Sequence, residues 1–199
     1  MKNANGNAQG KWATIISNFF NPLTGLLIFF AYFSFHHLTK SEAVARFIPI
    51  LLIIILPVAG WILWNVKKGN YKDANVSDRK KRMGLYFFLE ATLLLYLLYQ
   101  YFFAEEFNLI IFFIFLLVIS LHISNYILKS SMHTAFNLLV AGFFTAENWL
   151  LGAAWFIITV IVGFSRVYLK RHTVAEVFSG GAIAMVLVII YLYINLRIT

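Results

Sequence analysis

The sequence predicts an all-α fold, a polytopic transmembrane helical bundle of about six to seven spans. Three observations predict it. The chain is 61% hydrophobic and 12% charged, with mean hydropathy +0.80, whereas a soluble domain is about 45–50% apolar and about 25% charged. Its apolar residues gather in runs close to the roughly 20 that a helix needs to cross the hydrocarbon layer. Short polar loops separate the runs. There is no cysteine among the 199 residues, which excludes disulfides, thiolate metal sites and cysteine nucleophiles.

The elements follow in order. Met1 to Lys11 is polar, rich in Asn and Gly, and reads as a flexible tail. It lacks the basic start, apolar core and cleavage site of a signal peptide, so the first span is expected in the mature protein. That span covers residues 21–38, opened by Asn21-Pro22. The second covers 43–66, where Pro49 and Pro57 predict kinks. The third and fourth cover 84–104 and 108–128. A shorter apolar segment, 132–145, precedes spans at 149–168 and 174–196. Tyr71, Tyr86, Trp149 and Tyr168 lie near span ends, where aromatic residues anchor helices at the interface.

Short loops point to a single integral-membrane domain over residues 1–199, with no internal repeat and no low-complexity segment. The longest polar stretch, Lys67 to Arg82, holds seven basic residues against Asp73 and Asp78. In a membrane protein, a formal charge of +8 reads as basic loops facing anionic head groups, not as a nucleic-acid surface. The positive-inside rule puts these loops in the cytoplasm of a multi-pass cell (inner) membrane protein, against Lys40, Arg46, Glu42, Glu105, Glu106 and Glu147 on the other side. The oligomeric state is not legible.

Three stretches between spans carry chemistry. The first is Lys72 to Arg79, with Arg82 three residues further as an alternative to Arg79. The second is Ser131-Met132-His133. The third is Ser165-Arg166, five residues, His172, three residues, Glu176. With seven spans all three emerge on one side of the membrane. These residue types suit phosphoryl transfer without a metal, which requires fixed cations, a nucleophile and a general acid. Lys72, Arg79 and Arg166 can supply cations, and the planar fork of Arg fits two phosphate oxygens. Ser131 can add neutral donors at a helix start. His172 can attack phosphorus, Glu176 can fix its tautomer from one helical turn away, and His133 can protonate the leaving oxygen.

These motifs resemble those of the type 2 phosphatidic acid phosphatases, which share a fold with vanadium haloperoxidases and acid phosphatases. The family pattern is Lys, six residues, Arg-Pro; then Pro-Ser-Gly-His; then Ser-Arg, five residues, His, three residues, Asp. The match spans Lys72 to Glu176, with Lys80 and Ser130 in place of the two prolines, Met132 in place of Gly and Glu176 in place of Asp. The resemblance implies a haloperoxidase-like helical core and a phosphohistidine mechanism. In it His172 is the nucleophile, His133 the acid, and Lys72, Arg79, Ser131 and Arg166 the phosphate ligands, with no metal or other cofactor.

The expected function is an integral-membrane lipid phosphatase acting on a phosphomonoester or diphosphate. Candidate substrates are phosphatidate, phosphatidylglycerophosphate, an isoprenoid diphosphate or a lipid A phosphate. Short loops favour a small head group. The alternatives are a lipid phosphotransferase and a degenerate homologue that binds or transports anionic lipids. His36-His37 reads as interfacial. Glu90 is an intramembrane carboxylate, a costly placement, and His122 and Asn125 are its candidate partners.

Overall fold

The computed structural model describes residues 4–72, 76, 78–104 and 107–198. Among them every regular element is a helix and there is no strand. In chain order the helices are α1 Ala4–Phe19, α2 Pro22–His37, α3 Lys40–Ile50, α4 Leu56–Lys67, α5 Arg79–Tyr99, α6 Leu109–Ser124, α7 Met132–Glu147, α8 Trp149–Tyr168 and α9 Val174–Ile198. Two π-helical turns, Leu51–Ile55 and Gln100–Ala104, extend α3 into α4 and lengthen α5. Asp73, Glu105 and Glu106, which enter the charge balance above, lie outside the described residues.

Four helical segments are long and apolar enough to cross a membrane: Lys40–Lys67, Arg79–Ala104, Trp149–Tyr168 and Val174–Arg197. A fifth arises if Gly10–Phe19 and Pro22–His37, bent by 53°, count as one span. The chain is thus all-helical and membrane-embedded, with four to five candidate spans. The expected span at 108–128 and the shorter apolar segment at 132–145 appear as α6 and α7, with 16 residues each. That is about 24 Å of helix, short of the roughly 30 Å hydrocarbon layer.

The flexible tail is corrected from Ala4 onward. Residues 4–11 belong to α1, and residues 1–3 lie outside the described residues. α1 has a reason to be helical: Ala13 and Ser17, four residues apart, are both buried, so one stripe faces the protein. The prolines act as expected on the ladder but through a local change of pitch. Pro57 has no amide to give Ile53, and the amide of Leu56 bonds Leu51 five residues back, which closes the π turn between the two prolines.

Where the sequence suggests one domain, the contacts group the chain into two compact units. The first comprises Met1–Tyr32 and Ile127–Thr199, and the second Phe33–Tyr126. In the first unit α7 is central. Every residue from His133 to Phe144 is buried, and α8 and α9 pack along it. Small residues allow the approach, as in other membrane bundles where packing, not hydrophobic drive, joins helices. A side-chain carbon at Gly142 would lie 2.6 Å from Val188, and one at Gly180 would lie 2.6 Å from the backbone oxygen of Ser131. Phe29 of α2 packs between Phe143 and Phe144 of α7.

In the second unit α5 packs against α4 and α6. Tyr71, Val76 and Leu85 form a buried cluster with Trp61 and its neighbours. The Trp61 indole stacks on Phe88 and donates to the Tyr71 hydroxyl at 3.2 Å.

Candidate active site

The third motif is built by two adjoining helix ends, and their rules explain its spacing. α8 ends in a Schellman-type turn. Lys170 takes a left-handed conformation (φ 55°), its amide bonds the carbonyl of Val167, and the amide of Arg171 bonds Arg166. The amide of His172 also reaches the Arg166 carbonyl, at 3.3 Å. One carbonyl therefore gathers the two residues that follow the turn. Lys in this conformation costs about 1–2 kcal/mol where Gly would cost little.

α9 then starts with a capping box. The Thr173 amide donates to Glu176 Oε2 at 3.1 Å, and the Glu176 amide donates to Thr173 Oγ1 at 3.2 Å. Glu176 Oε2 also lies 2.8 Å from His172 Nδ1. One carboxylate oxygen thus caps the helix and holds the imidazole. This gives a physical reason for Glu at this position, since a capping box uses Glu or Gln three residues after the cap. Nδ1 is the ring nitrogen that Glu176 engages. The His172 side chain is 1% exposed, so the ring sits in a largely dehydrated setting.

The second motif docks on the third through backbone. The Ser131 amide donates to the Glu176 carbonyl at 2.9 Å. The Ser130 and Ser179 hydroxyls lie 2.7 Å apart. Ser131 caps α7, accepting from the Thr134 amide. His133 follows as the second residue of α7 and is buried. Arg166, 3% exposed in the last turn of α8, donates through Nη1 to Ser17 Oγ of α1 at 2.7 Å. Ser17 is invisible to a motif reading because it lies 149 residues away in sequence. Lys129 also lies outside the motifs. Its ammonium donates to the Arg171 carbonyl and adds a cation to this end of the unit.

Ser131, His133, Arg166, His172 and Glu176 are therefore all in the first unit, and Lys72, Arg79 and Arg82 all belong to the second. Lys72 is exposed in a turn. Arg79 closes the end of α6. Its Nε donates to the Asn125 carbonyl at 2.6 Å and its Nη2 to the Tyr126 carbonyl. Arg82 is buried, and its Nε donates to the Val76 carbonyl at 3.3 Å. Ahead of them, Asp78 caps α5, accepting from the amides of Lys81 and Lys80. The Lys81 amide is the main cause that holds its carboxyl below the usual range.

Compared with protein-family models, curated proteins and solved structures, the chain matches none. Among the described residues no three His, Asp or Glu side chains group to hold a metal ion. The chemistry on offer is an oriented imidazole, a second buried imidazole, a buried guanidinium and the amides of a helix start.

Proposed function

We propose that the chain is an integral-membrane lipid phosphatase that works through a phosphohistidine, in keeping with its resemblance to the type 2 phosphatidic acid phosphatases and their helical core. One observation carries the reading: His172 is held by Glu176 through Nδ1 at 2.8 Å, in the motif where the resemblance expects the nucleophile. In the reaction the Nε2 lone pair of His172 forms a P–N bond as the ester P–O bond breaks. His133 gives its proton to the departing lipid alkoxide. Water then attacks phosphorus and returns a proton to His133, the P–N bond breaks, and inorganic phosphate leaves. Arg166 and the amides at the start of α7 stabilise charge on the phosphoryl oxygens. The first-motif cations Lys72, Arg79 and Arg82 enter this reading through the resemblance.

Six to seven spans would need α6 and α7 to reach across the bilayer, and the motif face is assigned to the cytoplasm by charge bias. The test is phosphate release by purified protein in detergent with EDTA, across lipid mono- and diphosphates. Wild type is expected to release phosphate, and His172→Ala to lose more than about a thousandfold, as loss of a nucleophile does. Retained activity in the variant removes His172 as nucleophile. Transfer of phosphate to an added lipid alcohol, in place of hydrolysis, would favour the phosphotransferase reading. Lipid binding without any release would favour the binding or transport reading.

A further inference from the structure

α1 and α2 meet at a corner, and one side chain builds both of its sides. Asn21 Nδ2 donates to the Asn18 carbonyl at 2.8 Å and to Thr24 Oγ1 at 3.0 Å. Its Oδ1 accepts from the amides of Leu23 at 3.0 Å and Thr24 at 3.1 Å. The same residue therefore closes α1 and caps α2. Pro22 comes next, at the one helical position where its missing amide is not needed.

The corner is tied to the two helices that carry the site. Asn137 of α7, 1% exposed, donates through Nδ2 to the Phe20 carbonyl at 2.8 Å and to the His133 carbonyl, one turn back, at 2.8 Å. The Phe20 ring meets Trp155 of α8 edge-on, with ring centres 5.8 Å apart. α1 itself packs along α8. The end of α1 is thus fixed to α7, which carries His133, and to α8, which carries Arg166.

Ser17 lies one helical turn before Asn21, so the corner sets its height and angle. It is 1% exposed, and its Oγ accepts from Arg166 Nη1 at 2.7 Å. Helix propensity gives no reason for Ser here, since Ala is the better helix former. The contact does. An Arg side chain is long and rotates freely, and its planar fork serves a phosphate only when the plane is aimed. A hydroxyl can take up one of the five N–H groups without neutralising the cation, which leaves the charge for an anion. We propose that Ser17 is a positioning residue, which holds the Arg166 guanidinium toward the phosphoryl group and makes α1 a part of the site. The assignment rests on the reading of Arg166 as a phosphate ligand, and every group involved lies in the first unit.

The test titrates inorganic phosphate into full-length protein in detergent, followed by phosphorus NMR, beside phosphate release from lipid mono- and diphosphates. Ser17→Ala removes the acceptor and keeps α1 a good helix former. Its dissociation constant for phosphate should rise by about tenfold or more, the scale of a hydrogen bond to a charged group. Loss of folded protein alone would lower the amount bound and leave the constant unchanged. In an Arg166→Ala background, Ser17→Ala should add less than about twofold, because the two side chains act as one unit. An unchanged constant in Ser17→Ala, a further large loss in the Arg166→Ala background, or a wild type that binds no phosphate would overturn the assignment. Phosphate binding that depends on Ser17, without release from any lipid, would overturn the phosphatase reading and keep the role of Ser17. Release from lipid with an unchanged constant in Ser17→Ala would do the reverse.

Discussion

The two units each hold an imidazole against a glutamate through Nδ1, at 2.8 Å for His172–Glu176 and 2.7 Å for His122–Glu90. The distances match but the settings differ. His172 and Glu176 are four residues apart at a helix start, with Arg166, Lys170 and Arg171 close in sequence and Lys129 bonded to the Arg171 carbonyl. His122 and Glu90 are 32 residues apart between two apolar helices, within an aromatic shell. The same two side chains meet at the same distance at a helix start beside basic residues in one unit and inside an aromatic shell between two helices in the other.

The sharpest way to break this comparison is at Glu176. Glu176→Gln keeps the size and can keep the capping box, but an amide cannot stabilise the imidazolium or hold the tautomer as a carboxylate does. Phosphate release should fall by about 10²–10⁴-fold, the range seen when a carboxylate that orients a catalytic histidine is neutralised. Helix content should stay unchanged. Activity within about threefold of wild type, a loss far below that range, would leave Glu176 only as a helix cap.

Much of the first pair is legible in sequence. The spacing of Arg166, His172 and Glu176 is the length of one helix exit plus one helix start, so local rules set it. Thr173-Val174-Ala175-Glu176 even spells a capping box, a signal that a search for catalytic motifs passes over. The second pair is half legible. The cost of Glu90 points to a partner, but choosing His122 over Asn125 requires the register of α5 on α6, which no local pattern encodes. Ser17 and the helical state of α1 are not legible at all. Asn and Gly near the start resemble a tail, and it is the packing of α1 on α8, with Ser17 meeting Arg166, that gives that helix a use. The division into two units is equally hidden, because short loops join helices within a unit and between units alike.

A smaller effect tests what holds the first pair in place. Gly180 of α9 faces the Ser131 backbone, which cannot swing aside as a side-chain tip can. Gly180→Ala should destabilise the protein by about 1–3 kcal/mol through overpacking and lower activity by moving the start of α7 off α9. Thermal unfolding in detergent and phosphate release should fall together. Wild-type values for both would show that the approach of α7 to α9 is looser than the 2.6 Å clash implies. For the second pair, a double-mutant cycle on Glu90→Gln and His122→Gln should give a coupling of about 0.6 kcal/mol and at most about 1.7, as interhelical polar pairs in a membrane protein do. A coupling near zero would mean that the two side chains do not meet.

The smallest expected effect separates a carboxylate that only caps from one that also orients a histidine. Asp78 caps α5 as Glu176 caps α9, but it is exposed and, among the described residues, accepts from backbone amides only. Its carboxyl is held below the ordinary value, chiefly by the Lys81 amide. A group lowered in the folded state stabilises fully above its unfolded value, about 3.9 for Asp. That contribution is lost as pH falls through the folded value. Asp78→Asn keeps a capping oxygen but removes the charge. The melting temperature of wild type should exceed that of Asp78→Asn slightly at about pH 7, and the two should converge below about pH 4. Activity should be unaffected at neutral pH, in contrast to Glu176→Gln. A gap that did not shrink at all as pH fell from about 7 to well below the unfolded value would mean that Asp78 acts through something other than its charge at the helix start.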